Sequence, residues 1–415
     1  MTLENDVFAL DEETGATVWT RNVGPPAGPG AGPGVVSRGI MGTPVIDEVA
    51  RVLYLVAGIG PGTLIRHEIH AISVDTGLEV PGNWPIDVSK VRSGSFTFNP
   101  ARQHQRSALS LVKGRLYVAF GGNGDSPGYR GWVVIVNTRA PSDVAVWTSL
   151  GAYEGIWNPG GMASDGNGVF AITGNGTSTS DDHADTDAES VLRIQANGVS
   201  LRDATNQFVP SEWKSMDAGD LDFGSCSPLL LRMPGSSPET LLIAPSKPGH
   251  LYLLNPTRLG GIGGQLSDLL VGNPTSESVY AVPTTYQTSQ GVYVALNVSS
   301  GARCPAEISN HNLLGVLLKP GSPPVPQVAW CAKLTDDNEV GRRSPISTTT
   351  DGRSNAIVWF MNGSSLNAFE GDSGTPLFAE TGPGCSGVHR FTSPIAANGR
   401  IIVGGDGHLC SWSVH

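Results

Sequence analysis

Arginine is unevenly used in this acidic chain. Arg38, Arg102, Arg106, Arg342, Arg343 and Arg390, with His104 and His389, fall just ahead of short strand-like segments, and Trp157 and Asp222 occupy comparable positions. A guanidinium fork binds carboxylates bidentately and stacks on aromatic faces. The set therefore reads as a site for an anionic small molecule, gripped by arginines and stacked on Trp157. The competing reading pairs these arginines with Asp217, Asp220, Asp222, Asp336 and Asp337 and gives them a structural role, since ion-pair networks also produce such clusters. His104 and His389 could also act as the base of a hydrolase or lyase, a third reading that rests on the histidines alone.

Other chemistry is weaker. The run Asp181–Glu189 could gather oxygens around Ca²⁺, but it lacks the fixed spacing and turn glycine of an EF-hand loop and reads as a solvated loop. His67 and His70, three apart on a strand, point to opposite faces and cannot share a metal. Ser107 near His104 has no nucleophile elbow around it. No metal site is expected. Cys226, Cys304, Cys331, Cys385 and Cys410 show no CxxC or CxxCH spacing, so zinc, thioredoxin-type and c-type haem chemistry lack support. Cys304 and Cys331 belong to one repeat unit and Cys385 and Cys410 flank another. Two disulfides, with Cys226 left as a thiol, are expected, which implies an oxidising compartment; the alternative is five thiols in a cytosolic protein.

The elements that must position these residues are short strands. Gly (54) and Pro (30) are abundant while charged residues make up only 15%, a profile of many strands joined by turns. The net charge of −11 argues against nucleic-acid or membrane-surface binding. No apolar run reaches the length of a membrane span. The hairpin Val7–Trp19 recurs as His67–Trp84 and Ser364–Phe378, and more weakly as Gly131–Trp147, Ser190–Gly198, His250–Pro256, Asn312–Trp330 and His408–His415. An apolar strand precedes most copies: Leu53–Gly58, Arg115–Phe120, Val169–Gly174, Leu241–Pro245, Val292–Leu296, Ile357–Met361 and Ile401–Gly405. Before these, Thr43-Pro44, Ser227-Pro228, Ser344-Pro345 and Ser393-Pro394 open a shorter strand, a position that suits proline's missing N–H.

Units of three to four antiparallel strands at a period of roughly 50–65 residues predict an all-β fold, a β-propeller of four-stranded blades. The repeat count is eight, the first and last incomplete, with seven as the alternative. One propeller domain over 1–415 is expected, with an N-terminal segment missing that would complete a blade and could carry a secretion signal. The long loops, Asn22–Gly42, Val88–Arg106, Gly121–Arg130, Gly174–Glu189, Ser299–His311 and Glu380–Thr392, open on one face in such a fold, and the arginine set would ring its channel mouth.

Ala9-Leu10-Asp11, Thr14-Gly15 and Trp19, and again Ala71, Asp75-Thr76-Gly77 and Trp84, resemble the quinoprotein (PQQ-type) β-propeller repeat. That repeat occurs in PQQ-dependent alcohol dehydrogenases and in non-enzymatic outer-membrane assembly lipoproteins. Phe98–Gly122, Gly155–Gly161, Ile172–Thr177 and Asp220–Leu231 are similar to bacterial PQQ-binding-like propeller proteins, whose activity is mostly unassigned. The resemblance implies that Trp19, Trp84, Trp147 and Trp330 dock blades. It also makes PQQ, a planar tricarboxylate, with Ca²⁺ the candidate cofactor. The dehydrogenases carry two vicinal cysteines beside the cofactor; this sequence has no Cys-Cys pair, and their Ca²⁺ ligands and catalytic Asp have no counterpart by motif. The resulting expectation is a periplasmic or extracellular monomer. It would act as a ligand-binding or protein-interaction scaffold, its partner an anionic small molecule or a protein on the long-loop face. The alternative is a PQQ-dependent dehydrogenase of an alcohol or sugar.

Overall fold

A strand that is apolar at nearly every position must be covered on both faces, because successive side chains point to opposite sides. Val52–Ile59 is such a strand, buried throughout. Val52, Tyr54 and Val56 pack against Leu116, Val118 and Phe120 of Arg115–Gly122. The alternate residues Leu53, Leu55, Ala57 and Ile59 pack instead with Val7, Val23 and Ile40. A computed structural model describes residues 1–28, 37–61, 66–124, 126–178, 180–305, 312–334 and 343–414. Arg342, Asp336 and Asp337 lie outside the described residues.

The chain forms two compact units, Met1–Gln207 and Phe208–His415. In the first, Val45–Asp47, Val52–Ile59, Arg66–Ser73 and Ile86–Asp87 make one four-stranded sheet. Ser110–Val112, Arg115–Gly122, Trp132–Asn137 and Val144–Thr148 make the next. The odd residues Tyr117 and Ala119 turn from the first interface to the following one, meeting Val169, Ala171, Leu192 and Ile194. The second unit repeats the scheme. Val294 and Leu296 face Ile243 and Leu253, while Tyr293 and Ala295 face Val358 and Phe360. Trp359 and Met361 then face Ile401 and Val403.

The fold is all-β, a β-propeller of seven blades of four antiparallel strands. Among the described residues seven sheets hold three strands or more. The repeat count of eight includes Asp6–Leu10 paired with Thr17–Asn22, a two-stranded sheet that is no blade by itself. Each Ser/Thr-Pro pair does open a strand: Val45–Asp47, Leu229–Arg232, Ile346–Thr348 and Ile395–Ala397.

The hairpin turns are built as the sequence predicts. Asp11 Oδ1 accepts from Thr14 N (2.9 Å) and Thr14 Oγ1 (2.6 Å), and Gly15 sits at φ +71°, a conformation that side chains resist. Trp19 Nε1 donates to Val74 O at 2.8 Å, and Trp330 Nε1 to Gly371 O at 2.7 Å. Each indole thereby joins the outer strand of its own sheet to the hairpin of the next.

Candidate functional site

In the first unit the short strand Gln103–His104 pairs with Gly121 and Gly122. Alternation along it sends Gln103 and Gln105 into the protein, where Gln103 Nε2 donates to Gly121 O (3.1 Å) and Arg130 O (2.7 Å). His104 and Arg106 take the other side. His104 Nε2 lies 2.8 Å from Met41 Sδ. Burial, followed by the positive charges of Arg106, His67 and Arg38, pushes the His104 pKa down to about 3. Its ring is therefore neutral at pH 7 and lies in the field of two guanidinium groups. Arg106 lies over the Trp157 ring, 5.9 Å from its centroid. That ring packs on Gly121, where a Cβ would come 2.5 Å from Trp157 Nε1.

Arg38 is buried, with Nε donating to Gly28 O at 2.9 Å. Burial lowers its pKa, and among the described residues nothing accepts from its Nη1. His67, pushed down to about 4 by burial, shares the neighbourhood, its Nε2 3.3 Å from Gln103 O. Arg102 is exposed and lines a separate groove of about 200 Å³ with Phe96, Asn99 and Arg130. A groove of about 350 Å³ adjoins Phe96 and is lined by Trp147, Leu150, Val199 and Arg202. Arg130 stacks on Phe96 at 3.8 Å and donates to Ser149 O (3.1 Å) and Gly151 O (2.8 Å).

The second unit holds the rest. Asp222 accepts from Lys247 Nζ at 3.1 Å, and Glu277 from the same ammonium at 2.6 Å. Burial opposes the Lys247 charge, and the two carboxylates more than offset it, so its pKa is raised. Arg343 is buried and donates to Gly363 O (2.9 Å) and Val388 O (2.8 Å), backbone acceptors that make it an anchor between loops. His389 is exposed with its Nε2 2.7 Å from Asp406 Oδ1, and Arg390 is exposed. The arginines thus separate. Arg38 and Arg106 both act on His104 through their charge, Arg343 donates to carbonyls, and Arg102 and Arg390 are exposed. Arg342 lies outside the described residues.

Sequence reasoning missed Glu154. Its carboxyl is fully enclosed; burial, then the Asp187 charge, raises its pKa to about 7, against hydrogen bonds from Thr186 Oγ1 and Gly151 N. Asp187, also fully buried, takes both Arg202 Nε and Nη2 at 2.7 Å and Leu150 N at 2.9 Å. This corrects the reading of Asp181–Glu189 as a solvated loop. Asp181, Asp182 and Asp185 are exposed, but His183, Thr186, Asp187 and Glu189 are buried. No local pattern marks the difference, because the groups that hold the loop inside, Glu154 and Arg202, come from other segments.

All four predicted cysteines are paired. Cys304–Cys331 and Cys385–Cys410 have Cα separations of 6.0 and 5.8 Å, within ordinary disulfide geometry. Cys226 is buried and in no disulfide, its thiol pushed up to about 12 by burial.

No protein-family model matches the chain, and no curated protein matches it. Among solved structures it is similar to a quinohemoprotein alcohol dehydrogenase from Comamonas testosteroni, with TM-score 0.56 and 15% identity, covering 96% of this chain and 67% of that one. It also matches BamB from Moraxella catarrhalis (TM-score 0.43, 12% identity, 74% of this chain and 70% of that one). A third match is the β-propeller domain of Cps50 (Swd1) from Myceliophteria thermophila (TM-score 0.46, 11% identity, 91% and 97%). Among the described residues no helix is long and apolar enough to cross a membrane. The first of the three likenesses supports the fold, a β-propeller.

Proposed function

We propose that this chain is a non-catalytic binding propeller of the PQQ-type repeat family, working in an extracytoplasmic compartment, whose ligand is an anionic small molecule held by Arg38 and Arg106 against Trp157. The observation that carries the reading is the buried Arg38 guanidinium, whose Nη1 has no acceptor among the described residues. A buried charged donor left unmet costs more than the roughly 1–3 kcal/mol of a neutral one, and an incoming carboxylate oxygen would meet it. Arg106 and Arg38 both disfavour a proton on His104, which marks the surroundings of that ring as positive and suited to an anion. The two disulfides support an oxidising compartment.

The PQQ–Ca²⁺ pair fits these residues poorly. Among the described residues the one group of three or more metal-ligating side chains is Cys385, His408 and Cys410, with no carboxylate in it. The paired cysteines are 27 and 25 residues apart rather than vicinal.

The test is a titration of citrate, a plain tricarboxylate, and of PQQ with and without Ca²⁺, read by calorimetry and melting temperature on wild type, Arg106→Gln and Arg38→Gln. The expected result is a rise in melting temperature with either tricarboxylate, independent of Ca²⁺, with affinity weakened about tenfold in each variant, the loss of one charge-assisted hydrogen bond. No binding of any tricarboxylate, or variants that bind like wild type, would overturn the site. Reduction of an artificial electron acceptor by alcohol in the presence of PQQ and Ca²⁺ would replace the reading with a dehydrogenase.

A further inference from the structure

His408 stands beside the Cys385–Cys410 disulfide. Its Nε2 is 3.9 Å from Cys385 Sγ, and the two sulfurs and a ring nitrogen all lie within 4.8 Å of one another. Two features hold the ring there. Nδ1 lies 2.8 Å from Asp406 O; a carbonyl can only accept, so Nδ1 carries the proton and Nε2 presents its lone pair toward the sulfurs. The ring also lies against Gly405, where a Cβ would come 2.3 Å from Ser386 O and 2.9 Å from His408 Nε2. Metal-ligating histidines are oriented in this same way, by a backbone carbonyl on the far ring nitrogen. The backbone around the cluster is fixed by pairing: Val403 opposes Cys410 and Gly405 opposes His408 in the last sheet, while Cys385 N donates to Ser364 O at 2.7 Å.

The geometry points to a redox-gated site for a thiophilic divalent cation, Zn²⁺ foremost: closed as the disulfide, and formed by Cys385, Cys410 and His408 once the disulfide is reduced. A dithiol reductant supplies two electrons to the S–S bond and is itself oxidised to a cyclic disulfide; its two protons leave Cys385 and Cys410 as thiols. Zn²⁺ then displaces both thiol protons to solvent and takes two thiolates and the neutral imidazole. Two sulfurs and one nitrogen with a fourth position open to water is an established coordination for Zn²⁺, and thiolate ligands select it over Mg²⁺ and Ca²⁺. Spacing in the sequence could not reveal the site, because the two cysteines are 25 residues apart and are brought together only by the fold. The cluster lies in the second unit and is independent of the anion site in the first.

The experiment uses Co²⁺ as a spectroscopic substitute for Zn²⁺, on the full-length chain before and after reduction by a dithiol that is then removed anaerobically. Reduced protein is expected to bind one equivalent, with thiolate-to-Co²⁺ charge-transfer absorption in the near ultraviolet and intense tetrahedral d–d bands in the visible. Zn²⁺ should bleach these bands and raise the melting temperature of the reduced protein but not of the oxidised one. His408→Ala should weaken Zn²⁺ binding at least about tenfold while leaving the disulfide of the oxidised protein intact. The double variant Cys304→Ser/Cys331→Ser removes the other pair and should keep the signal; if it does not fold, the one-to-one stoichiometry of the wild type and the His408→Ala loss assign the site instead. Absence of thiolate bands in reduced, folded protein, equal binding before and after reduction, or an unchanged affinity in His408→Ala would overturn the proposal.

Discussion

At the scale of single residues, Glu154 is the carboxyl whose burial bears most directly on stability near neutral pH. Burial and the Asp187 charge raise its pKa from 4.5 to about 7. The folded chain therefore holds a proton between those values that the unfolded chain has released. The stability tied to that proton is complete below pH 4.5 and is lost as pH rises through 7. The span from 4.5 to about 7 corresponds to roughly 3 kcal/mol at most. His67 and His104 act with the opposite sign: folded values of about 4 and about 3 against 6.5 keep them neutral, a contribution present above pH 6.5 and lost as pH falls toward 4 and 3. The two signs oppose each other below pH 6.5, so the test is a difference: the stability of wild type minus that of Glu154→Gln, from urea unfolding at pH values of about 5, 6, 7 and 8, should fall from pH 5 to 7 and level off above that. A difference that stays constant with pH would remove Glu154 from the account.

At the scale of elements, the repeating device is an indole seated on the next blade's turn glycine. A Cβ at Gly77 would come 2.7 Å from Trp19 Cδ2, and one at Gly374 would come 2.5 Å from Trp330 Cε3; both glycines are at φ +70°. Gly15 has nearly the same backbone, φ +71°, with nothing within 4 Å. Gly15→Ala should therefore cost only the left-handed backbone strain, about 1 kcal/mol. Gly77→Ala and Gly374→Ala should each cost roughly 2–4 kcal/mol, because overpacking a docked ring adds to the strain. Equal costs at all three sites by denaturant unfolding would mean that the docking contact contributes nothing. This is also where the sequence was most legible. Runs such as Val52–Ile59 and Arg115–Gly122 are covered on both faces, so they read as unbroken apolar strands, and Trp and Gly recur at fixed places in the hairpin. Legibility ends where long-range partners decide. The buried half of Asp181–Glu189 depends on Glu154 and Arg202, and Arg343 looks like an anion ligand until the Gly363 and Val388 carbonyls take it. The blade count misread a lone hairpin for the same reason, since a two-stranded copy and a full blade share the same local pattern.

At the scale of the whole molecule, covalent stapling is one-sided. All five cysteines fall after residue 207, so both disulfides belong to the second unit and the first has no covalent staple. Each bridge closes a loop, 27 and 25 residues in sequence, for which constraint of the unfolded chain contributes about 2–4 kcal/mol. Reduction should then act locally. Hydrogen exchange should accelerate in Leu313–Lys319 and Val325–Ala332, which carry or pair with Cys331, and in Arg400–Gly405 and His408–Ser413, which carry or pair with Cys410. Val52–Ile59 and Arg115–Gly122 of the first unit should exchange as before. Thiol titration of the unreduced protein should find one thiol after denaturation and none before it, since Cys226 is enclosed and its thiol pKa is pushed up to about 12. Five thiols in the unreduced protein would deny both bridges, and with them the support they lend to an oxidising compartment. Uniform acceleration across both units would instead mean that the bridges stabilise the chain as one cooperative body, so that the first unit draws on staples it does not itself contain.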